Sequence, residues 1–152
     1  MTNKMAIKKK LTIVLERDDD NDWQAWCDVE DAQTLLTAIA PDTEGVVLQM
    51  KDLIKDFQQN EWHDVASWAT VNADTDIEFE FAYSVVELFD TFNFLKISAV
   101  AKEAGLNPSL LRAYASGDKN PSLKQAQKIE DTIRRLGQSL SQAIVVPTPL
   151  VG

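Results

Sequence analysis

The chain is poor in the residue types that form metal centres and disulfides. It contains one cysteine, Cys27, and one histidine, His63, so no internal disulfide can form and no zinc site of the usual Cys/His type can be assembled. A lone cysteine fits a reducing compartment, and we expect a cytoplasmic protein. Its apolar runs are far shorter than the roughly 18 residues of a spanning helix. The basic start, "KMAIKKK", lacks the apolar stretch of a secretory signal, so we expect no membrane partner.

The signatures of the common catalytic sites are also missing. The sequence has no glycine-rich phosphate loop. His63 stands beside Asp64, but no Ser or Cys nucleophile has a supporting motif, which predicts a loop histidine. The acidic run "DDDND" at residues 18–22 is typical of a solvated turn, because five consecutive polar residues at a hairpin tip cannot all converge on one metal ion. We therefore expect no enzymatic activity, no cofactor and no bound metal.

Charge is divided unevenly along the 152 residues, whose formal net charge is −9. Residues 1–83 hold 7 Lys/Arg and 18 Asp/Glu, a balance of −11, whereas residues 84–152 hold 8 and 6, a balance of +2. This segregation indicates two modules with different partners, although solubility alone is an alternative explanation. We predict a module at 1–83, a second at 84–141 and a tail at 142–152.

The first module has the periodicity of a small α+β fold. Residues 11–17 and 23–29 alternate apolar and polar side chains around the acidic turn, which predicts a β-hairpin. Residues 34–40 form a third predicted strand, whose pattern leaves the buried face undecided. Apolar residues then recur at helical spacing over 46–57, and "DIEFEFAY" at 76–83 alternates strictly. The order β-β-β-α-β predicts an antiparallel sheet with one helix on its apolar face.

A connector with no sustained period lies between the predicted helix and the fourth strand. It spans residues 60–74 and carries Trp62 and Trp68. Tryptophans in such a segment either cover the sheet or anchor a partner, and we favour packing in the core.

The second module is predicted to be all helical. From residue 84 onward the apolar positions follow a period of about 3.6 residues, and residues that favour helix ends separate four segments. The tail is expected to begin as an edge strand. The predicted helix starts are Ser84 (a capping box with Glu87), Ser98, Asn107 followed by Pro108, and Ser122 (a capping box with Gln125), and the predicted ends include Gly105 and Gly117.

Two short helices joined at Gly105 are predicted to form a helix-turn-helix. Gly105 can adopt the left-handed backbone that a tight turn needs. Ala101 lies four residues earlier, where only a small side chain fits between closely crossing helices. Leu111 and Tyr114 lie where the second helix packs back on the first. The alternative is an ordinary helical corner without a ligand.

The outward face of the second helix carries short or polar side chains and one arginine. The N-terminal part of such a helix is the part that enters a DNA major groove. Arginine contacts guanine edges or phosphates, and asparagine and serine can contact either. The predicted DNA-contacting residues are Lys102, Asn107, Ser109, Arg112, Ala113 and Lys119.

The region 97–137 resembles a known family. Its segments "AKEAGLNPSLL" and "SGDKNPSLKQAQKIE" are similar to the helix-turn-helix of the Xre/lambda-repressor type, in the form found at the C-terminus of HicB-type antitoxins. The strand "IEFEFAYSVVELFD" resembles the same lineage, and the similarity covers roughly residues 76–141. "WCDVEDAQTLL" stands where the family usually has "PDLPG", so the resemblance assigns no toxin-contacting residues.

The resemblance implies both a fold and a function. Such antitoxins pair a partial RNase-H-like β-β-β-α-β module with a DNA-binding module. They repress transcription at an operator and mask a small basic HicA-like toxin, a ribonuclease. A homodimer or higher homo-oligomer is expected. Two alternatives stay open: a stand-alone transcription regulator whose first module senses a ligand or dimerises, and an interaction module whose helix pair is purely structural.

Overall fold

The computed structural model describes residues 9–149, and its architecture is α+β. The chain divides into two compact units, the first ending at Glu87 and the second beginning at Leu88. Within the described residues, the first unit holds a four-stranded sheet in the order β3-β2-β1-β4. The strands are β1 (Lys9–Arg17), β2 (Trp23–Val29), β3 (Thr34–Ala40) and β4 (Ile77–Tyr83), and the helices are α1 (Thr43–Gln59), α2 (Val85–Thr91), α3 (Ile97–Ala104), α4 (Pro108–Ser116) and α5 (Leu123–Gln142).

The acidic run between β1 and β2 is a tight turn, as predicted. The Asp18 side chain accepts hydrogen bonds from the backbone N–H groups of Asp20 and Asp22, at 3.0 and 2.9 Å. Asn21 adopts a left-handed backbone with φ of 65°, which asparagine tolerates better than most residues. The first aspartate therefore organises the turn, and Asp19 and Asp20 remain exposed.

One face of the sheet is covered by α1 and by the connector that follows it. The helix begins at Asp42, whose side chain accepts the Gly45 N–H at 2.7 Å. Trp62 and Trp68 join this core, with ring centroids 4.9 Å apart, so their predicted packing role is confirmed. The strand residues of the core are Leu11, Ile13, Leu15, Trp23, Ala25, Cys27, Val29, Leu36, Ala38 and Ala40, and those of α1 are Val46, Met50 and Ile54.

The prediction of an antiparallel sheet is wrong for one of its three strand pairs. β1 pairs with β2, and β2 with β3, in antiparallel fashion, but β1 and β4 are parallel, with Lys9 opposite Ile77 and Leu15 opposite Tyr83. The reason is the helix between β3 and β4. A helical crossover returns the chain to the end of the sheet where it started, so the next strand runs parallel to the previous one. Because β3 and β1 already point the same way, β4 is parallel to both.

Asp31 connects the start of β1 to the connector. Its carboxylate accepts hydrogen bonds from Lys9 Nζ, Ser67 Oγ (2.9 Å) and Trp68 Nε1 (3.0 Å), and Lys9 also lies over the Trp68 ring. Desolvation by burial opposes ionisation of this carboxyl. The three hydrogen bonds and the Lys9 charge outweigh that effect and lower the pKa of Asp31 to about 2.

Replacing Asp31 by asparagine is expected to destabilise the first unit in a pH-dependent way. The native pKa lies below the ordinary value of 3.8, so the stabilisation is complete above that value and disappears as the pH falls towards about 2. Because the side chain is 43% exposed, we expect a loss of only about 1 kcal/mol at about pH 6. Denaturant unfolding followed by tryptophan fluorescence measures it.

Asp19→Asn at the hairpin tip is the matched control for Asp31→Asn. Asp19 is exposed and makes no hydrogen bond within residues 9–149, so its replacement should leave the unfolding midpoint unchanged. The Asp31→Asn difference should shrink by about half or more between about pH 6 and pH 2.5. An equal difference at both pH values would contradict the role given to the ionised carboxylate.

The helices of the second unit differ from the sequence predictions at their starts. α3 begins at Ile97 with Lys96 as the capping residue, because the N–H groups of Ala99 and Val100 both donate to Lys96 O at 3.0 Å. Ser98, the predicted cap, therefore lies inside the first turn.

The tail prediction is also wrong: residues 143–149 form no strand, and Ile144 is 89% exposed. No helix of residues 9–149 combines the length and apolarity that crossing a membrane requires.

Both predicted capping boxes are only half formed. Ser84 Oγ accepts the Glu87 N–H and Ser122 Oγ accepts the Gln125 N–H, each at 3.2 Å. The return bonds are not made. Glu87 Oε1 instead accepts the backbone N–H of Arg17 at 3.2 Å, and Gln125 Oε1 is buried with no hydrogen-bond partner among the described residues. At Glu87, the backbone N–H of Arg17, which is distant in sequence, has taken the place of the Ser84 N–H that a full capping box would use.

Candidate nucleic-acid interface

The turn between α3 and α4 is closed by a left-handed glycine. Gly105 has φ of 68° and ψ of 30°. Its N–H donates to Lys102 O at 3.2 Å, and the next N–H, of Leu106, donates to Ala101 O at 2.9 Å. These two bonds form a Schellman motif, which satisfies the last carbonyls of α3. The buried Leu106 side chain anchors the chain directly after the turn.

α4 is delimited at both ends by local hydrogen bonds. Asn107 Oδ1 accepts the Ser109 N–H at 2.8 Å, and Pro108 occupies the first helical position, where its missing N–H has no cost. At the other end Gly117 adopts φ of 83° and donates to Tyr114 O at 3.2 Å. The predicted start and end of this helix are confirmed. Its nine residues are therefore fixed in length and register.

The inward face of the helix pair is tightly packed. Ala101 and Leu111 are fully buried at 0% exposure, and Tyr114 is 7% exposed. Ile129 of α5 is buried in the same unit, and α5 packs against α3. Because α3 also packs against α4, the buried Leu111 and Tyr114 define the inward face of α4, and the opposite face is directed outward.

The outward face of α4 carries most of the predicted DNA-contacting residues. Asn107, Ser109 and Arg112 are exposed. The Asn107 oxygen already accepts the capping hydrogen bond, whereas its NH₂ group makes no hydrogen bond among the described residues and is available as a donor. Ala113 is half buried, and its carbonyl accepts the Lys119 N–H at 3.2 Å. Its small side chain therefore makes no polar contact but allows a ligand to approach the helix backbone closely.

Three cationic side chains of this region have no acidic partner within residues 9–149. Lys102 lies in the last turn of α3, Arg112 in the middle of α4 and Lys119 directly after it, and all three are exposed. By contrast, Arg134 binds Glu130 one turn away on α5, at 2.9 Å. An anionic ligand can therefore neutralise these three cations without breaking an existing ion pair.

A further arginine joins α5 to α3, and sequence reasoning missed it. Arg135 Nη2 donates to the backbone carbonyl of Glu103 at 3.0 Å, and its Nη1 lies 3.6 Å from the Glu103 carboxylate. The two residues are 32 positions apart, so no helical or strand period connects them. Arg135 holds the end of α3 in place directly before the turn.

The exposed face of α4 is suited to contact with an anion. The exposed groups around it include the cations Lys102, Arg112 and Lys119 and also the carboxylate of Asp118, and hydrogen bonds at each end of α4 fix its geometry. No cluster of three or more His, Cys, Asp or Glu side chains that could hold a metal occurs in the described part of the chain. No protein-family model, curated protein or solved structure matches the chain.

Proposed function

We propose that this chain is an antitoxin-like transcriptional repressor that binds operator DNA through α3 and α4 and masks a small basic ribonuclease toxin through its first unit. The observation that carries the DNA-binding part is the exposed, donor-rich face of α4, held in register by Asn107 and Gly117. The resemblance of residues 97–137 to the helix-turn-helix of HicB-type antitoxins supports the antitoxin part.

In this proposal the N-terminal half of α4 enters a major groove. Arg112 contacts a guanine edge or a phosphate, and Asn107 and Ser109 contact neighbouring groups. Lys102 and Lys119 contact the phosphates on either side. A homodimer places two such helices on half-sites about 34 Å apart, so the operator is expected to be a palindrome.

The masking part is supported by the charge of the first unit. Residues 9–87 hold 5 Lys/Arg and 19 Asp/Glu, which attract a cationic partner over long range. A ribonuclease presents a basic surface to RNA, and an acidic protein bound there competes with the substrate. The acidic unit also disfavours non-specific DNA binding, so the specific complex depends strongly on the cations around α4.

Operator binding is expected to weaken steeply with salt. Lys102 and Lys119 on each of two protomers contact about four phosphates, which gives a slope of log K against log salt of about −3.6, or about a 150-fold loss of affinity between about 50 and 200 mM salt. If Arg112 contacts a phosphate instead of a base, the slope becomes about −5 and the loss about a thousandfold. Fluorescence anisotropy with the DNA upstream of the gene measures this slope. Lys102→Ala should make the slope shallower by about 1 to 2, and Lys51→Ala on α1 should not change it. A salt-insensitive complex would contradict the proposed contacts.

Growth of cells that express the short reading frame beside this gene, with and without this chain, tests the antitoxin role. Arrest that this chain relieves supports masking of a toxin. No arrest from the neighbouring product, together with operator binding, would favour the stand-alone transcription regulator. No binding to upstream DNA would leave the helix pair as a structural element of an interaction protein.

A further inference from the structure

The edge strand β3 lacks the features that usually protect the edge of a sheet. Its sequence, "TLLTAIA", contains no charged residue, no proline and no glycine. It lies at the end of the strand order, so one side of its backbone has no neighbouring strand within residues 9–149. Natural edge strands are commonly blocked by lysine, proline or a bulge, because unpaired backbone groups are a template for another strand.

A single side chain covers part of this edge. Gln49 of α1 donates from Nε2 to Ile39 O at 2.6 Å and accepts the Ile39 N–H at its Oε1, at 3.2 Å. Its amide thereby occupies the position that a neighbouring peptide group would take. In an antiparallel strand, every second residue directs its backbone N–H and C=O groups away from the neighbouring strand. Ile39 is one of these residues, so Leu35 and Thr37 also direct their N–H and C=O groups to the free edge. No side chain of residues 9–149 covers those two residues in this way.

The side chains on the same residues add an apolar contact surface. Leu35 and Ile39 are 61% and 56% exposed, on the face of the sheet opposite α1. In the adjacent strand their cross-strand neighbours are Asp28 and Gln24, with the half-buried Trp26 between them. A strand added beside β3 would therefore gain backbone hydrogen bonds at Leu35 and Thr37 and aliphatic contacts with Leu35 and Ile39 on one face.

Charge around the edge selects the partner. Asp28 lies opposite Leu35, and Glu16 continues the row that runs from Ile39 through Gln24. The whole first unit is strongly acidic, so a second copy of this chain would bring two acidic surfaces together. An extended segment that carries lysine or arginine is favoured instead, because it neutralises these carboxylates.

We propose that β3 binds an extended basic segment of a partner protein as a fifth strand of the sheet, with Leu35 and Thr37 as its main backbone contacts. This inference gives the masking part of the proposed function its surface, and to that extent it rests on the proposed function. Gln49 limits the accessible edge to the N-terminal two thirds of β3. The partner is thus recognised by main-chain pairing, and its basic side chains provide the selectivity.

Binding of a (Lys-Val)₅ peptide to the full-length protein tests this inference without DNA or a toxin. The measurements are the affinity, by calorimetry, and amide hydrogen exchange at Leu35 and Thr37, by NMR. We expect both amides to be protected when the peptide binds. The same peptide N-methylated at every backbone nitrogen keeps the charge but loses its backbone N–H donors, and should bind about tenfold more weakly. A (Glu-Val)₅ peptide should not bind.

Variants of the protein separate strand addition from charge attraction. Thr37→Pro removes an outward N–H and should lower the affinity about tenfold. Leu35→Lys adds a protecting charge at an exposed position and should abolish binding, whereas Leu123→Lys, which adds the same charge at an 86% exposed site on α5, should not. Gln49→Ala should extend the protection to Ile39.

Several results would overturn the inference. They are no binding of the basic peptide, equal binding of the N-methylated peptide, equal binding to the Leu35→Lys variant, and protection of Leu35 and Thr37 by self-association without peptide. Failure of the proposed function is a separate result, because it is read from operator affinity and growth, which the peptide experiment does not use.

Discussion

Replacing Arg112 by alanine is expected to weaken operator binding by about 1–3 kcal/mol, or about 5- to 150-fold, if the guanidinium reads a base. Arg112 is exposed on α4 and has no acidic partner among the described residues, so its removal costs the free protein almost nothing. The whole loss should therefore appear in the complex. Anisotropy titrations with operator and with scrambled DNA measure the loss and separate base contact from phosphate contact.

Arg134→Ala is the matched control for Arg112→Ala. It removes the same charge from the same unit, but Arg134 is bound to Glu130 on α5 and lies outside the proposed interface. The operator affinity of this variant should stay within about twofold of the wild-type value, because salt screens a surface charge that lies far from the phosphates. Unchanged affinity of the Arg112→Ala variant would remove this residue from the proposed site.

Replacing Ala101 by leucine is expected to destabilise the second unit by about 1–3 kcal/mol. Ala101 is fully buried in α3, where the helix packs against α4 and α5, and three added carbon atoms have no space there. All four tryptophans precede residue 88, so tryptophan fluorescence reports on the first unit and far-UV circular dichroism is dominated by the helices of the second. The dichroism midpoint should fall while the fluorescence midpoint stays constant.

Ala99→Leu provides the control for Ala101→Leu. Ala99 lies on the same helix but is exposed. The same substitution there should change the free energy of unfolding, followed by circular dichroism, by less than about 0.5 kcal/mol. An Ala101→Leu variant as stable as the wild type would refute the register that places Ala101 at the helix crossing. Equal destabilisation by both variants would attribute the effect to helix propensity instead of packing.

Local chemistry explains which parts of the fold could be predicted from the sequence. Alternation in β1 and β2, which is strict in β4, and the helical spacing in α1 indicate which side chains share a face, so these elements were predicted within a few residues. Gly105 and Gly117 were predicted as helix ends because only a left-handed backbone closes such turns easily, and both have positive φ.

Features set by distant residues could not be predicted in this way. Alternation in β4 fixes its two faces but not its partner or its direction, so the parallel pairing with β1 was missed even though a helix preceded the strand. β3 has apolar residues on both faces, and packing against α1 alone decides that Leu36 is buried and Leu35 exposed. The Glu87 side chain does not complete its capping box, because it accepts the backbone N–H of Arg17, 70 positions away.

The candidate interface shows the same division. The exposed face of α4 and its flanking cations follow from helical register, which the caps at Asn107 and Gly117 fix locally. The Arg135–Glu103 contact depends on how α5 crosses α3, and no short-range pattern encodes it. DNA contact by Lys102, Arg112 and Lys119 stays a prediction until the titrations are made.

The parallel pairing of β1 with β4 has a consequence for synthesis of the chain on the ribosome. Thr12 and Glu80 are neighbours in the sheet but 68 positions apart in sequence, whereas β1, β2 and β3 are joined by short turns. Loop closure favours the nearer contacts, so the three-stranded meander can form as soon as it emerges. Until the ribosome has released β4, the nascent meander exposes two open edges, β1 and β3, and this interval is when the chain is most exposed to aggregation or to capture by a partner strand.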